Sequence, residues 1–405
     1  MLAFRNTVIA VLVISFFTFV ALFGKLPALR NTPIGVLQRL LCLNIPATFR
    51  RLDTTFTGGR TSRALAGIGH YLFNQKNPVV LAIFLTLLTG SAYLFLTAAW
   101  PLLTWSQTLP LPFLLGAPYY FTYLCVTTRA DHITPQNHTR HLHSYPYDHL
   151  LFRPDHKCRT CGFVKPARSK HCSLCGVCVA KADHHCPWVN NCLGRNNYRW
   201  FLALLLSLAA IEFYGAYLAW KVLSQSWTDL DSALGWTSRL YWSQWGNGFV
   251  RAINTGGLSV AGVGLLAVTT APLPLGLLVY HIYLIWAGMT TNESSKWADW
   301  KDDMADGYVY RAKRSVIVGK EKERKRQNSL GQGDAKAILP KGECEEDPPC
   351  CRWPVPNDQM IVRTTDGNPP IGQEDLWEKV RSLDDIVNVY DLGVFRNFVC
   401  ILQGR

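Results

Sequence analysis

The stretch CRTCGFVKPARSKHCSLCGVCVAKADHHCPWVNNC, Cys158 to Cys192, carries seven cysteines and three histidines. A tetrahedral zinc ion takes four nitrogen or sulfur donors, and a structural site leaves no position open. Two such sites need eight donors. Six of the cysteines, His171 and one histidine of the His184-His185 pair supply them. One cysteine and one histidine are then left over beside Asp183. Folding does not consume that thiol, and it has an imidazole and a carboxylate for neighbours. Spacing alone does not decide which of His184 and His185 binds metal.

Working outward, the remaining cysteines do not form a disulfide framework. There are 13 in 405 residues, and their clustering with histidine reads as metal binding in a reducing compartment. Cys42 and Cys125 read as packing residues. Cys344, Cys350, Cys351 and Cys400 lie in the tail, with no role assigned.

The chain is 49% hydrophobic and only 17% charged, against about 25% charged for a typical soluble domain. That deficit points to a membrane protein. A mean hydropathy of only +0.06 requires sizeable polar parts beside the apolar spans. The net charge of +13 suits loops facing an anionic leaflet. The apolar spans set aside its rival reading, nucleic-acid binding.

A spanning helix needs about 20 mostly apolar residues, and five stretches qualify. They are Thr7–Gly24, Pro78–Ala98, Leu109–Thr128, Phe201–Trp220 and a segment within Gly256–Met289, most naturally its second half. No small-residue cleavage site follows the first, so a retained anchor is expected. Pro272 and Pro274 would kink the last, which bilayer helices tolerate. The expected architecture is an all-α polytopic membrane protein. It comprises an anchor (1–24), a basic cytosolic segment (25–77), a helix pair (78–128), a cysteine-rich domain binding two zinc ions (129–199), a second helix pair (200–289) and a tail (290–405). Lys and Arg number eight in segment 25–77, eleven in 129–199 and eighteen after the last span, but only two in 222–255. The positive-inside rule then predicts a lumenal N-terminus, with cysteine cluster and tail in the cytosol.

Trp227, Trp236, Trp242 and Trp245 read as an interfacial belt between the last two spans. The basic run Arg311–Arg326 reads as a solvated linker, and 327–375 as flexible. A helix-like pattern returns from Asp375.

The string Cys158–Phe201 resembles the cysteine-rich domain of the DHHC protein S-acyltransferases. Thr290-Thr291-Asn292-Glu293 is similar to that family's TTxE motif. Asn388–Gly393 with Asn397 is similar to its C-terminal aromatic-and-asparagine motif, with Val389 where proline is common. The resemblance implies one zinc held by Cys158, Cys161, His171 and Cys178, and another by Cys172, Cys175, His185 and Cys192. It leaves Cys186 as nucleophile, His184 as base and Asp183 as its orienter. Thr291 would support Asp183, Glu293 would brace the zinc domain, and Tyr390 and Asn397 would pin the tail. The implied donor is palmitoyl-CoA or another long-chain acyl-CoA, and the implied acceptors are cysteines of membrane proteins such as SNAREs. The anchor preceding four further spans resembles a sporulation-associated fungal branch resident in the endoplasmic reticulum membrane.

Trp188 is expected near an acyl entrance. Glu212, costly in mid-span unless paired, is a candidate lining residue, as is His281. Two rivals stand beside the enzyme: a non-catalytic zinc module that recruits partners, and a transporter with a regulatory zinc loop. Few polar intramembrane residues argue against transport.

Overall fold

The computed structural model describes residues 16–17, 20–21, 24–25, 29–225, 237–329, 353–370 and 374–404. The chain divides into two units, Met1–Lys76 and Asn77–Arg405. The expected first span, Thr7–Gly24, lies largely outside the described residues. So do Trp227, Trp236, Cys344, Cys350 and Cys351.

In the first unit the basic segment is helical: α1 (Pro33–Arg39), α2 (Ile45–Thr57) and α3 (Arg60–Asn74). Asp53 of α2 ties the last two together. Its carboxylate accepts bonds from the Thr57 and Thr61 hydroxyls and from the Ser62 amide at 2.7 Å. Those hydrogen bonds hold its pKa well below the usual carboxylate range. Cys42, expected to pack, is exposed.

Among its described residues the second unit contains four helices long and apolar enough to cross a membrane: Val79–Leu102, Trp105–Thr127, Tyr198–Ser224 and Leu258–Trp286. Their main helices are α4 (Val79–Ala99), α5 (Leu111–Thr127), α6 (Tyr198–Ser224), α8 (Leu258–Thr270) and α9 (Pro272–Trp286), with α7 (Arg239–Gly256) before α8. The last span, Leu258–Trp286, takes up most of the Gly256–Met289 run rather than its second half. Ala271 keeps right-handed helical angles (φ −53°, ψ −35°), and Pro272 occupies the first position of α9. The Ala271 amide still bonds Ala267 O at 2.9 Å, so the span runs on past the one bond that Pro272 cannot make, a loss bilayer helices tolerate. Span α6 is central and packs on α5, α8 and α9, while α4 packs on α8. Phe95, Leu111, Leu218 and Val260 fill the space between them.

The all-α expectation holds for the spans alone. Eight short strands lie among the described residues outside them. Strands β1 (His132–Ile133), β2 (Lys170–Cys172) and β3 (Val177–Val179) form one antiparallel sheet in the order β1-β3-β2. Strands β4 (His184–Cys186) and β5 (Asn191–Leu193) form a second. In the tail, β6 (Val309–Lys313) lies between β7 (Gln359–Arg363) and β8 (Glu378–Lys379). None exceeds five residues, too short for alternation to stand out from noise.

The tail therefore departs from its reading in three places. Arg311 and Lys313 belong to a strand, and helix α11 (Arg314–Ser329) carries the rest of the basic run. Met360, Ile361 and Val362, inside the supposedly flexible stretch, are buried in β7. Among the described residues after Asp375 the only α-helix is α12 (Val394–Leu402), because Trp377 and Val380 pack on the sheet instead.

Candidate active site

The cysteine cluster folds as knuckles and hairpins. After each CxxC pair a glycine turns the chain in the left-handed region, Gly162 at φ +78° and Gly176 at φ +68°, which a side chain would disfavour. Hairpin register supplies the other donors. His171 lies opposite Cys178 in β2–β3, and His185 lies opposite Cys192 in β4–β5. Directly opposed residues share a face of the sheet. Each hairpin thus aims one imidazole and one thiol at its own CxxC pair.

Two groups of four result, Cys158/Cys161/His171/Cys178 and Cys172/Cys175/His185/Cys192. In the first, His171 Nδ1 lies 3.5, 3.4 and 3.8 Å from the sulfurs of Cys158, Cys161 and Cys178. In the second, His185 Nδ1 lies 3.7, 3.5 and 3.6 Å from Cys172, Cys175 and Cys192. Zinc–sulfur and zinc–nitrogen bonds at a tetrahedral angle place such donors about 3.5–3.8 Å apart. Both groups are therefore zinc-capable in donor type and geometry.

Strand β4 turns the two imidazoles to opposite sides. Successive side chains of a strand point to opposite faces. His185 faces Cys172, Cys175 and Cys192, so His184 and Cys186 face the other way. Cys186 is buried against Cys125, Leu204, Leu205 and Leu278 of the spans. His184 hydrogen-bonds Cys186, and its Nδ1 lies 2.6 Å from Asp183 Oδ2. Burial disfavours charge on His184, but Asp183 and the Cys186 sulfur outweigh it and push the imidazole up to about 9.

Asp183 is fixed from α10 (Thr291–Ala305), the helix after the last span. The Thr291 amide and hydroxyl donate to its two oxygens at 2.7 and 3.0 Å. Thr290 and Glu293 form a reciprocal capping box at the start of that helix, satisfying two orphan amides. Glu293 also takes a two-pronged bond from Arg168, Nε at 2.7 Å and Nη2 at 2.5 Å. Arg168 donates further to Gly288 O at 3.1 Å. It sits between ligand-type residues Cys161 and His171 in sequence, so the ion pair joins the zinc-capable domain to the membrane exit of α9.

The tail closes the same corner. Asn388 and Asn397 donate to the carbonyls of Ala287 and Trp286, at 2.9 and 3.4 Å, which a helix end leaves unpaired. Tyr390 donates to Pro146 O at 2.9 Å and lays its ring under Arg168, 4.6 Å from the guanidinium carbon. Sequence reasoning missed Arg168, which has no motif of its own. It also missed the partner of His281: Tyr198 Oη lies 2.8 Å from His281 Nδ1, and that imidazole stacks at 6.0 Å on His184.

An apolar groove of about 320 Å³ runs among the spans. Trp188, two residues past Cys186, lines it, together with Phe84, Leu115, Leu208, Glu212 and Thr270. A separate cavity of about 260 Å³ touches Asp183, with Arg168, Lys181 and Arg195 on its wall. Burial pushes the Lys181 ammonium down to about 7.

The family model for the DHHC palmitoyltransferases matches residues 151–298. Over 99% of its length the chain is 40% identical to the palmitoyltransferase swf1 of Emericella nidulans, covering 97% of that protein. The chain belongs to the DHHC palmitoyltransferases. It is also 39% identical to the Neurospora crassa palmitoyltransferase SWF1, over 96% of this chain and 90% of that one. The bovine palmitoyltransferase ZDHHC4 is 40% identical over a shorter region, 36% of this chain and 45% of its own. This palmitoyltransferase is thus an enzyme of the membrane, with four membrane-capable helices and two Cys/His groups of zinc-capable geometry among its described residues. The scaffold and transporter readings fall away.

Proposed function

We propose that Cys186 is the acyl carrier of this palmitoyltransferase and that the two groups of four each hold a structural zinc ion. The observation that carries this is the alternation of β4, which turns Cys186 and His184 away from the donors around His185. Zinc supplies no chemistry to the substrate; it would fix the knuckles on which β4 rests. The acyl-CoA thioester carbonyl meets the Cys186 sulfur. A new sulfur–carbon bond forms, the bond to the coenzyme A sulfur breaks, and the departing thiolate takes the proton held by His184. In the second step His184 removes the proton of a substrate cysteine. That sulfur attacks the acyl-Cys186 carbonyl and the Cys186 thiolate leaves. Asp183, held by Thr291, keeps His184 in one orientation and stabilises its cation.

The apolar groove below Trp188 suits the acyl chain, since each buried methylene contributes about 0.8 kcal/mol. A donor such as palmitoyl-CoA fits that requirement. The charge asymmetry supports a cytosolic site and a lumenal N-terminus. Likeness to the fungal relatives supports residence in the endoplasmic reticulum. Suitable acceptors are proteins, such as SNAREs, whose cysteines flank a transmembrane helix, because those thiols already lie at the depth of Cys186.

Asp183→Asn should slow formation of the Cys186 thioester about 100-fold or more while zinc content is retained, read by single-turnover labelling and metal analysis. Unchanged labelling would remove Asp183 from the mechanism. Glu212 tests the groove. From Leu205, which packs with Cys186, seven residues of helix advance about 10 Å. An extended chain covers that in roughly eight to nine bonds at about 1.2 Å each. A chain reaching past Glu212 loses apolar contact at the carboxyl, so Glu212→Leu should favour long donors over short ones. Competition between decanoyl- and stearoyl-CoA should shift several-fold towards stearoyl. An unaltered ratio would place the chain elsewhere.

A further inference from the structure

We propose that the α2–α3 hairpin is a membrane-surface module that binds anionic phospholipid headgroups. In α2 the residues Ile45, Phe49, Leu52 and Phe56 recur at i, i+4, i+7 and i+11, which is one stripe of a helix. Leu65 and Ile68 begin a second stripe on α3. These side chains are not covered: Phe56 is 80% exposed, Leu65 58%, Ile68 57% and Leu52 52%. Arg50 and Arg51 project from the opposite side of α2, and Arg63 from the opposite side of the α3 stripe. An apolar stripe backed by arginines is the pattern of a helix lying in the interface plane.

Charge and connection select the occupant. Segment 25–77 holds eight Lys/Arg and a single acid, Asp53. That acid is buried, with its oxygens committed to Thr57, Thr61 and Ser62. It sets the angle of the hairpin and presents no carboxylate outward, leaving a cationic surface suited to an anionic leaflet. Chain continuity adds a tether. Three residues after Lys76 the chain enters the membrane-capable helix at Val79, so the hairpin is never far from headgroups. That the leaflet in question is the cytosolic one rests on the topology proposed above; lipid binding itself does not.

The test uses the full-length protein in nanodiscs, which expose both leaflets and so do not depend on that topology. A photoreactive benzoylphenylalanine replaces Phe56, Ile68 or Arg51 in turn. After illumination, lipid adducts are read by mass spectrometry. Adducts at Phe56 and Ile68 should exceed those at Arg51 about fivefold. In discs containing phosphatidylserine, the fourfold variant Arg50→Gln/Arg51→Gln/Arg60→Gln/Arg63→Gln should lower the Phe56 adduct about tenfold, and in phosphatidylcholine discs much less. Equal adducts at all three positions would overturn the proposal. So would crosslinks from Phe56 that run mainly to a second copy of the chain or to other parts of the same chain.

Discussion

Cys186→Ser is expected to abolish hydroxylamine-sensitive labelling by a clickable long-chain acyl-CoA, with zinc content unchanged at about two ions per chain. The two halves of that result separate the roles of neighbouring residues. Cys186 lies in the cluster with Cys125 and the spans and outside both groups of four, so its sulfur is expected to be dispensable for metal. Serine is close in size, so the packed cluster should persist. A hydroxyl is a much weaker nucleophile than a thiolate at neutral pH, and the loss should exceed about 1000-fold. Retained labelling would mean that another cysteine carries the chain. Loss of one zinc would instead make Cys186 a ligand.

The second large effect concerns Arg168 and Glu293. Both are buried, at 5% and 2% side-chain exposure, and each is the other's charge partner. Removing one partner of such a pair costs about 3–5 kcal/mol, because it strands the other charge away from water. Arg168→Met or Glu293→Gln should therefore lower the thermal midpoint markedly and loosen the Asp183–Thr291 contact made at the same helix start. Replacing both with apolar residues should recover much of the stability, as buried pairs often exchange for packed hydrocarbon at little net cost. Recovery of stability with activity still depressed would show that the pair positions Asp183. A double variant no better than the singles would refute the buried-pair argument.

That Cys158–Cys192 gathers into clusters of metal-ligating type was legible because metal coordination constrains residue type and spacing together, while the division into two groups of four came from the family resemblance. The choice of His185 over His184 was open to spacing, yet it follows from strand alternation once β4 is recognised. Three residues are too few to announce a strand. Arg168 was not legible for another reason: its partner, Glu293, is 125 positions away, and no local pattern records a contact of that range. The four spans were readable from length and apolarity. The last was placed too far towards the C-terminus, although the kink expected at Pro272 and Pro274 did not require it: the span runs through both prolines from Leu258 to Trp286. The tail sheet was missed because Gln359–Arg363 follows a polar, proline-containing stretch whose composition resembles a linker.

The hairpin that holds His185 has one more implication. Deleting or inserting a single residue just ahead of Asp183 would slide β4 by one step against β5, and a one-step slide inverts every side chain. His184 would then stand among the thiols of Cys172, Cys175 and Cys192, and His185 would stand on the side that now holds Cys186. Loop length before this tripeptide is thus constrained, and indels there should abolish activity even where every cysteine survives.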